Sequence, residues 1–472
     1  MLIVKLKSVH FLALPLFVFL IFFDFFLVFK IQSTYDSGDS VLHFLQAHLA
    51  FKHPMLYLDH WAKPVFVLLS APFAYFGWMG MKTFNALCMI SSALCAFKLA
   101  SKVNVNPWIT LLCCVAAPKF ILIQSSGLTE PLFTFLLIGA TLLALSDRLM
   151  FATIIISFLP FVRSEGWLII IMFAVYLLSI RKFSPLIWLC LGHIAYGLIG
   201  AVVLNDFLWM FHQNPYEGVE LKYGNGSFTH YFFQLPNIVG LPIFILFLVS
   251  VLVASYSFFR RKLSIQRAIL LFGIPLGYLA AHSIFWRFGM FHSFGITRVL
   301  CVLIPFIAID IAWMMSTFKM KKEVRYAVIA IIICTVLIFP FTKNKMAFNM
   351  PHDFILDETQ QTALNATNWI KHNNLDTALI FSNQYYLAHK LNLDIYNTDQ
   401  FMNIRMLKEF KPQPGSLVIW DSYFAVTDAE VQEDLFENDD QYILLNAFAS
   451  SVDSLAYEIR VYQVTDDLSI GN

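Results

Sequence analysis

Apolar runs dominate the first three quarters of the chain. They cover 9–29, 82–101, 107–123, 131–146, 149–161, 167–180, 184–204, 237–258, 267–285, 297–315 and 326–342. Each approaches the roughly 20 residues that a helix needs to cross a bilayer. A further run at 64–78, PVFVLLSAPFAYFGW, is apolar but short, and reads as a helix lying in the interface. From about residue 343 the pattern changes. QQTALNATNWIKHNN has helical periodicity, and TALIFSN, GSLVIWDS, QYILLNAF and YEIRVYQV read as short strands. TDAEVQEDLFEN predicts another helix, with Thr427 or Asp428 as its N-cap. The expected architecture is a polytopic α-helical membrane protein of about 11 spans. Residues 1–342, with a first loop at 30–81, form the membrane domain, and 343–472 form a small α/β domain.

Composition sharpens this picture. The 472 residues are 58% hydrophobic and 13% charged, and the mean hydropathy is +0.67. A soluble chain carries roughly 25% charged residues, so most of this surface does not face water. The net charge of +1 supplies no field that would recruit nucleic acid. All seven cysteines fall inside apolar runs and read as small buried hydrophobes rather than disulfide partners or metal ligands. The first run has a basic flank, Lys5 and Lys7, but no small-residue cleavage site, and reads as a retained helix.

Basic residues cluster at alternate connections: Lys98 and Lys102, Arg148, Arg181 and Lys182, Arg260 to Lys262, and KMKKEVR at 319–325. The positive-inside rule puts these in the cytoplasm, with the amino terminus inside and 343–472 outside. The outer side then receives Asp36, Asp39, His43, His53, Asp59, His60 and Lys63. It also receives QSSGLTEP (124–131), RSEG (163–166), the 205–218 loop and WRFGMFHSFGITR (286–298). Their convergence points to a site on the outer face. Inside the membrane, Asp24 and Lys119 are costly alone and are expected to face each other.

The first outer loop reads YDSGDSVLHFLQAHLAFKHP at 35–54. A helix starting near Tyr35, capped by Ser33 or Thr34, places Asp36, Asp39 and His43 on one face and Leu42, Leu45 and Leu49 on another. A carboxylate at a partly desolvated boundary has the proton affinity of a general base, although ordinary solvated charges explain the segment equally well. A divalent metal on Asp36, Asp39 and His43 is the lesser alternative, because His43 and His48 lie five apart on different helix faces.

DSVLHFLQA at 39–47 resembles the DExYYxxxA element in the first outer loop of GT-C glycosyltransferases. HP at 53–54 and KPVFVLL at 63–69 resemble the HPP and KP elements further along that loop, the KP version being that of the lipid A aminoarabinose transferases. FVRSEGW at 161–167 resembles an RxEG element of mannosyltransferase-like members. The usual Glu after the loop Asp is Ser40 here, and Asp36 is an extra carboxylate, which leaves two candidates for the base. The resemblance implies a polyprenyl-phosphate-linked sugar donor and a lipid, glycan or protein acceptor whose hydroxyl attacks with inversion. It requires no cofactor. It implies Asp39 or Asp36 as base and Lys63 and Arg163 at the donor phosphate. His43, Glu130, Glu165, Arg287 and Arg298 are, by their outer-side positions, further candidate substrate contacts, with a helix-dipole role for Glu130 and headgroup binding for the two arginines as the alternatives. Lys63 snorkelling to headgroups and an Arg163–Glu165 ion pair are the structural alternatives. A lipid-linked sugar transporter and a non-catalytic envelope protein are the other classes. Sequons at Asn225 and Asn365 would matter only in an endomembrane system, and the carboxy-terminal LSIGN is no retention signal, so a bacterial inner membrane is expected.

The topology has a direct check. Single cysteines introduced near 370 and 430 should react with an impermeant maleimide in intact cells whose outer barrier is opened. Labelling only after the inner membrane is broken would overturn the orientation.

Overall fold

The computed structural model describes residues 18, 21–215, 223–318, 321–339, 342, 354–437, 439–452 and 455–466. The chain divides into two compact units. The first comprises 1–30, 54–125 and 129–350, and the second 31–53, 126–128 and 351–472.

The first unit is helical. Five described helices are long and apolar enough to cross a membrane: Trp78–Lys102, Ser184–Val203, Leu241–Phe259, Ile265–Phe288 and Thr297–Thr317. Thr297–Thr317 is 94% buried and forms the centre of this unit, whereas Ser184–Val203 is 28% buried and peripheral. Every expected run from 82 to 342 coincides with helix, but several are shorter than a full span. Pro107–Val115 and Pro118–Ser125 meet at 67°. The cause is Pro118, which lacks an N–H and forces Ala117 to extended backbone, φ −68° and ψ 123°. Glu130–Leu145, Leu149–Phe161 and Gly166–Ser179 are apolar but short. The 64–78 run forms the 11-residue helix Pro64–Ala74. Of the 9–29 run, 21–29 is described and helical, and the rest lies outside the described residues apart from residue 18.

Several hydroxyl side chains in these helices are satisfied locally. The hydroxyls of Ser92, Thr134 and Thr141 donate to carbonyls one turn back, at 2.7–2.9 Å. Gly192 lies so close to Ser157 that a Cβ would stand 2.2 Å from its carbonyl oxygen. The hydrogen bond that Asp24 receives comes from Gln124 Nε2, at 3.2 Å, rather than from the expected Lys119.

The second unit is built on a five-stranded sheet in the order β2-β1-β3-β5-β4. β1 (Ile380–Ser382), β2 (Phe401–Asn403) and β3 (Leu417–Asp421) are parallel, with Ile380 opposite both Phe401 and Leu417. β4 (Tyr442–Val452) and β5 (Leu455–Val464) form a hairpin whose second strand pairs antiparallel with β3. Every residue of β3 is buried, as suits a central strand covered on both faces. Helix Glu358–His372 starts where Asp357 accepts from Gln360 N, at 2.7 Å.

One expected helix does not form. TDAEVQEDLFEN yields only Phe424–Thr427 and Asp434–Glu437, so Thr427 ends a turn and Asp428 follows it. The cap belongs to Asp421, whose Oδ1 accepts from the backbone N–H of Tyr423 and of Phe424. The intervening chain is then folded back by Trp420 Nε1 donating to Val431 O at 3.0 Å, with Glu430 at φ 58°.

The first loop contributes helix Asp39–Leu49 to this unit. It begins four residues later than expected, because Tyr35 has φ 75°. Asp36 therefore stands before the helix and off its Asp39–His43 face. Its Oδ1 accepts from Gly38 N (3.1 Å) and Ser40 N (2.9 Å), taking the capping role expected of Ser33 or Thr34. Ser40 is fully buried. Its hydroxyl donates to Thr34 O (2.5 Å) and accepts from Gly127 N (2.8 Å), a position with no room for the longer glutamate of the family pattern. Gly127 is required there, since a Cβ would lie 2.1 Å from Ser40 O. The far end of the helix is anchored by Asp394, which takes Lys52 Nζ at 2.6 Å and His53 Nε2 at 2.9 Å.

Burial alone would raise the Asp394 pKa, but the hydrogen bonds from Lys52 and His53 outweigh it and hold the carboxylate below its ordinary value. The stability this contributes is present above the ordinary aspartate pKa and lost as pH falls through the lowered one. Asp394→Asn should accelerate amide exchange across 39–53 by about tenfold or more, the size of a lost charged hydrogen bond. Acidification should reproduce the effect in the native chain, after correction for intrinsic rates, and add nothing in the variant.

Candidate active site

The first unit gathers charges from four separated stretches into a buried network. Glu130 opens helix Glu130–Leu145 with Pro131 behind it, and its side chain is fully buried. Arg163 and Glu165 lie in the short connection before helix Gly166–Ser179. Arg298 starts the Thr297–Leu303 turn. Glu130 Oε1 takes Arg163 Nη1 at 2.8 Å and Arg298 Nε at 3.2 Å. Arg163 Nη2 reaches Glu165 Oε1 at 2.7 Å, and its Nη1 also donates to Thr129 Oγ1 at 2.9 Å. Lys63 Nζ donates to Ser164 Oγ at 2.9 Å, between the arginine and the glutamate. His282 Nε2 stands 3.7 Å from Glu165 Oε1.

These charges are out of water, and their proton affinities show it. Burial would raise Glu165, but Arg163 and His282 pull it down to about 2. Burial would lower Arg163, and Glu130 and Glu165 push it well above its ordinary value. For Lys63 burial wins. It lowers the ammonium to about 7, Glu165 and Asp59 opposing and Arg163 assisting. His60 is lowered to about 3 by burial and by Lys63, and so stays neutral. Two carboxylates balance two guanidiniums, and Lys63 is poised between its charged and neutral forms. Burying such a network costs more than packing hydrophobes would, which marks it as a functional candidate. Among the described residues, Glu130 Oε2, Arg163 Nε and Tyr278 Oη are buried without a hydrogen-bond partner.

The residues singled out from the sequence separate into groups. Lys63, Arg163, Glu130, Glu165 and Arg298 come together in the first unit. Asp36, Asp39 and His43 belong to the second, where Asp39 begins its helix, half-buried, and His43 follows one turn on, buried. Arg287 joins neither group. It is exposed, with its guanidinium 5.9 Å from the Phe228 ring centre. Thr129, Ser164, Tyr278 and His282 were missed. A histidine inside an apolar run was the available signal for His282. Among the described residues, no group of three or more His, Cys, Asp or Glu side chains is arranged to hold a metal ion.

No family model and no curated protein matches the sequence. Solved structures do match. ArnT from Cupriavidus metallidurans in the apo state superposes with a TM-score of 0.65 at 11% identity, over 96% of this chain and 98% of that one. The same protein bound to undecaprenyl phosphate gives 0.63 at 10% identity, over 95% and 98%. Identity this low speaks for the fold alone, and over nearly its whole length this chain has a GT-C-like fold.

Proposed function

We propose that the chain is an integral-membrane glycosyltransferase that moves a sugar from a polyprenyl-phosphate donor to an acceptor hydroxyl, with inversion. The observation that carries this reading is the whole-length likeness to a transferase solved with undecaprenyl phosphate. The network agrees with it: the lysine of the KP element is buried beside the arginine of the RxEG element. The proposed setting is a bacterial inner membrane, with the site and the carboxy-terminal domain on the periplasmic side.

On this reading Asp39 is the base. Asp39 holds the aspartate position of the DExYYxxxA-like element, and Asp36 Oδ1 accepts from two backbone N–H groups. Asp39 takes the proton of the acceptor hydroxyl as its oxygen bonds to C1. The C1–O bond breaks from the opposite side, and polyprenyl phosphate leaves with the electron pair. Charge grows on that phosphate, and Lys63 stabilises it. Arg163 supports Lys63 from a position fixed by Glu130 and Glu165. His43, Glu130, Glu165 and Arg298 are the proposed substrate contacts, and exposed Arg287 is left to headgroups.

The basic test is donor consumption by the purified full chain across a panel of polyprenyl-phosphate sugars. Absence of turnover with transport of lipid-linked sugar in vesicles would favour a flippase. With a working donor, Asp39→Asn should lose on the order of 10² or more in kcat with donor affinity unchanged. Asp36→Asn should lose less, because the amide oxygen still caps the helix. The reverse order would make Asp36 the base.

Lys63→Ala and Arg163→Ala should each raise the barrier by roughly 2–4 kcal/mol, and Arg163→Lys should recover only part of this. Lys63 also predicts a proton signature. Burial holds its pKa at about 7 against an ordinary 10.5. An anion bound beside it raises that value, so between these limits binding takes up a proton. Calorimetry of undecaprenyl phosphate binding near pH 8, in buffers of different ionisation enthalpy, should show uptake that Lys63→Gln abolishes. Equal uptake in that variant would remove Lys63 from the phosphate site.

A further inference from the structure

In the second unit the chain leaves β1 through helix Tyr385–Leu391 to β2 on one side, then returns to β3 on the other. Ligands of open α/β sheets bind at such a reversal, outside the carboxyl ends of the strands. Here those ends carry Asn383 and Tyr385 after β1, Asn403 at the end of β2, and Asp421 and Tyr423 at and after β3. Asn403 Nδ2 donates to Asn383 Oδ1 at 2.7 Å, and Asn383 Nδ2 to Phe424 O at 3.3 Å, fixing the amides. The start of helix Asp39–Leu49 reaches the same edge, since a Cβ on Gly38 would stand 2.9 Å from the Phe424 ring.

Asp421 supplies an independent pointer. It is fully buried, its Oδ1 is engaged with backbone, and its Oδ2 has no hydrogen-bond partner among the described residues. The Tyr385 phenol, hydrogen-bonded with Asn403, is raised to about 12 by burial and then by Asp428 and Asp39, so both carboxylates lie within electrostatic reach of it. Tyr423 feels Asp428, Asp39, Asp36 and Asp421, and keeps 42% of its surface exposed. The nearby cations Arg405 and Lys408 are turned to Glu430, at 3.5 and 4.0 Å.

Carboxylates, amides and two phenols match the hydroxyls of a sugar, and an aromatic face suits its C–H side. The carboxylates of Asp428, Asp39 and Asp36, all within electrostatic reach of Tyr423, repel phosphate. We propose that the carboxyl edge of β1, β2 and β3 binds the glycan headgroup of the acceptor, with Tyr385 and Tyr423 against a sugar ring and Asp428 on its hydroxyls, presenting one hydroxyl to Asp39. This assignment rests on the transferase reading and adds the class of acceptor: a sugar unit with no phosphate at the recognised ring.

The test is saturation-transfer NMR on the full chain in detergent, with methyl α-mannoside and methyl β-glucoside as probes and mannose 6-phosphate and glucose 6-phosphate as charged counterparts. The neutral glycosides should bind, the phosphates should bind at least several-fold more weakly, and Tyr423→Ala and Asp428→Asn should each weaken glycoside binding by about tenfold. Tyr385→Phe, which removes one hydroxyl from a retained ring, serves where a larger change unfolds the domain. No glycoside signal, equal binding of the phosphates, or binding indifferent to all three substitutions overturns the site. Enzyme kinetics separate this outcome from the fate of the transferase reading. A chain that binds glycosides but consumes no donor keeps the site and loses the transferase. A chain that consumes donor with acceptor KM unchanged in Tyr423→Ala keeps the transferase and loses the site.

Discussion

Arg163 sits between two glutamates, 14% exposed, and the starts of three helices are organised around that arrangement. Glu130 starts one helix, Glu165 precedes another, and Arg298 begins the most buried helix of the unit. Any of these charges left alone would cost several kcal/mol to bury. Each ion pair therefore fixes the end of a helix as well as the position of a side chain. Lys63 is the member the network does not fully neutralise. It shares a hydrogen bond with a neutral hydroxyl, and its ammonium is held near the point where it would lose its proton.

The second unit solves a different problem, that of holding a short loop helix rigid without a long helix to support it. Asp36 closes one end, Gly127 and Ser40 lock the first turn, and Asp394 ties down the other end. Lys52 and His53 belong to the same KHP stretch that draws attention in the sequence, and the anchoring explains their place there without chemistry.

How much of this was legible beforehand depended on range. The helices follow from apolar length alone, and β3 and the final hairpin from their runs of branched and aromatic residues. β2 is three residues long and has no pattern to read. The misplaced helix at 427–438 has a sound local pattern that a tertiary hydrogen bond, Trp420 to Val431, overrides. The start of the Asp39 helix was misjudged because Asp36 reads equally well as a helical residue and as a cap. For the network, Arg163, Glu165 and Glu130 stood out singly. That Arg298 would reach Glu130 across 168 positions, while Arg287 would turn to Phe228, is set by packing. Asp310, buried in its helix with neither carboxylate oxygen hydrogen-bonded among the described residues, passed unnoticed beside Asp24 and Lys119.

The discontinuity of the second unit bears on how the protein is made. The strand that completes the sheet of this unit, Leu455–Val464, emerges about 400 residues after helix Asp39–Leu49. At the usual 5–20 residues per second that is roughly 20–80 s. Through most of that time Phe44 lacks its ring partner His389 on helix Tyr385–Leu391, while the helices between them are being inserted. The loop's native contacts are thus among the most non-local in the chain, and their loop-closure entropy is correspondingly large. Nascent chains stalled before the hairpin would carry an apolar loop surface that the finished protein conceals, and such chains are the form in which holdase chaperones and quality-control proteases would meet it.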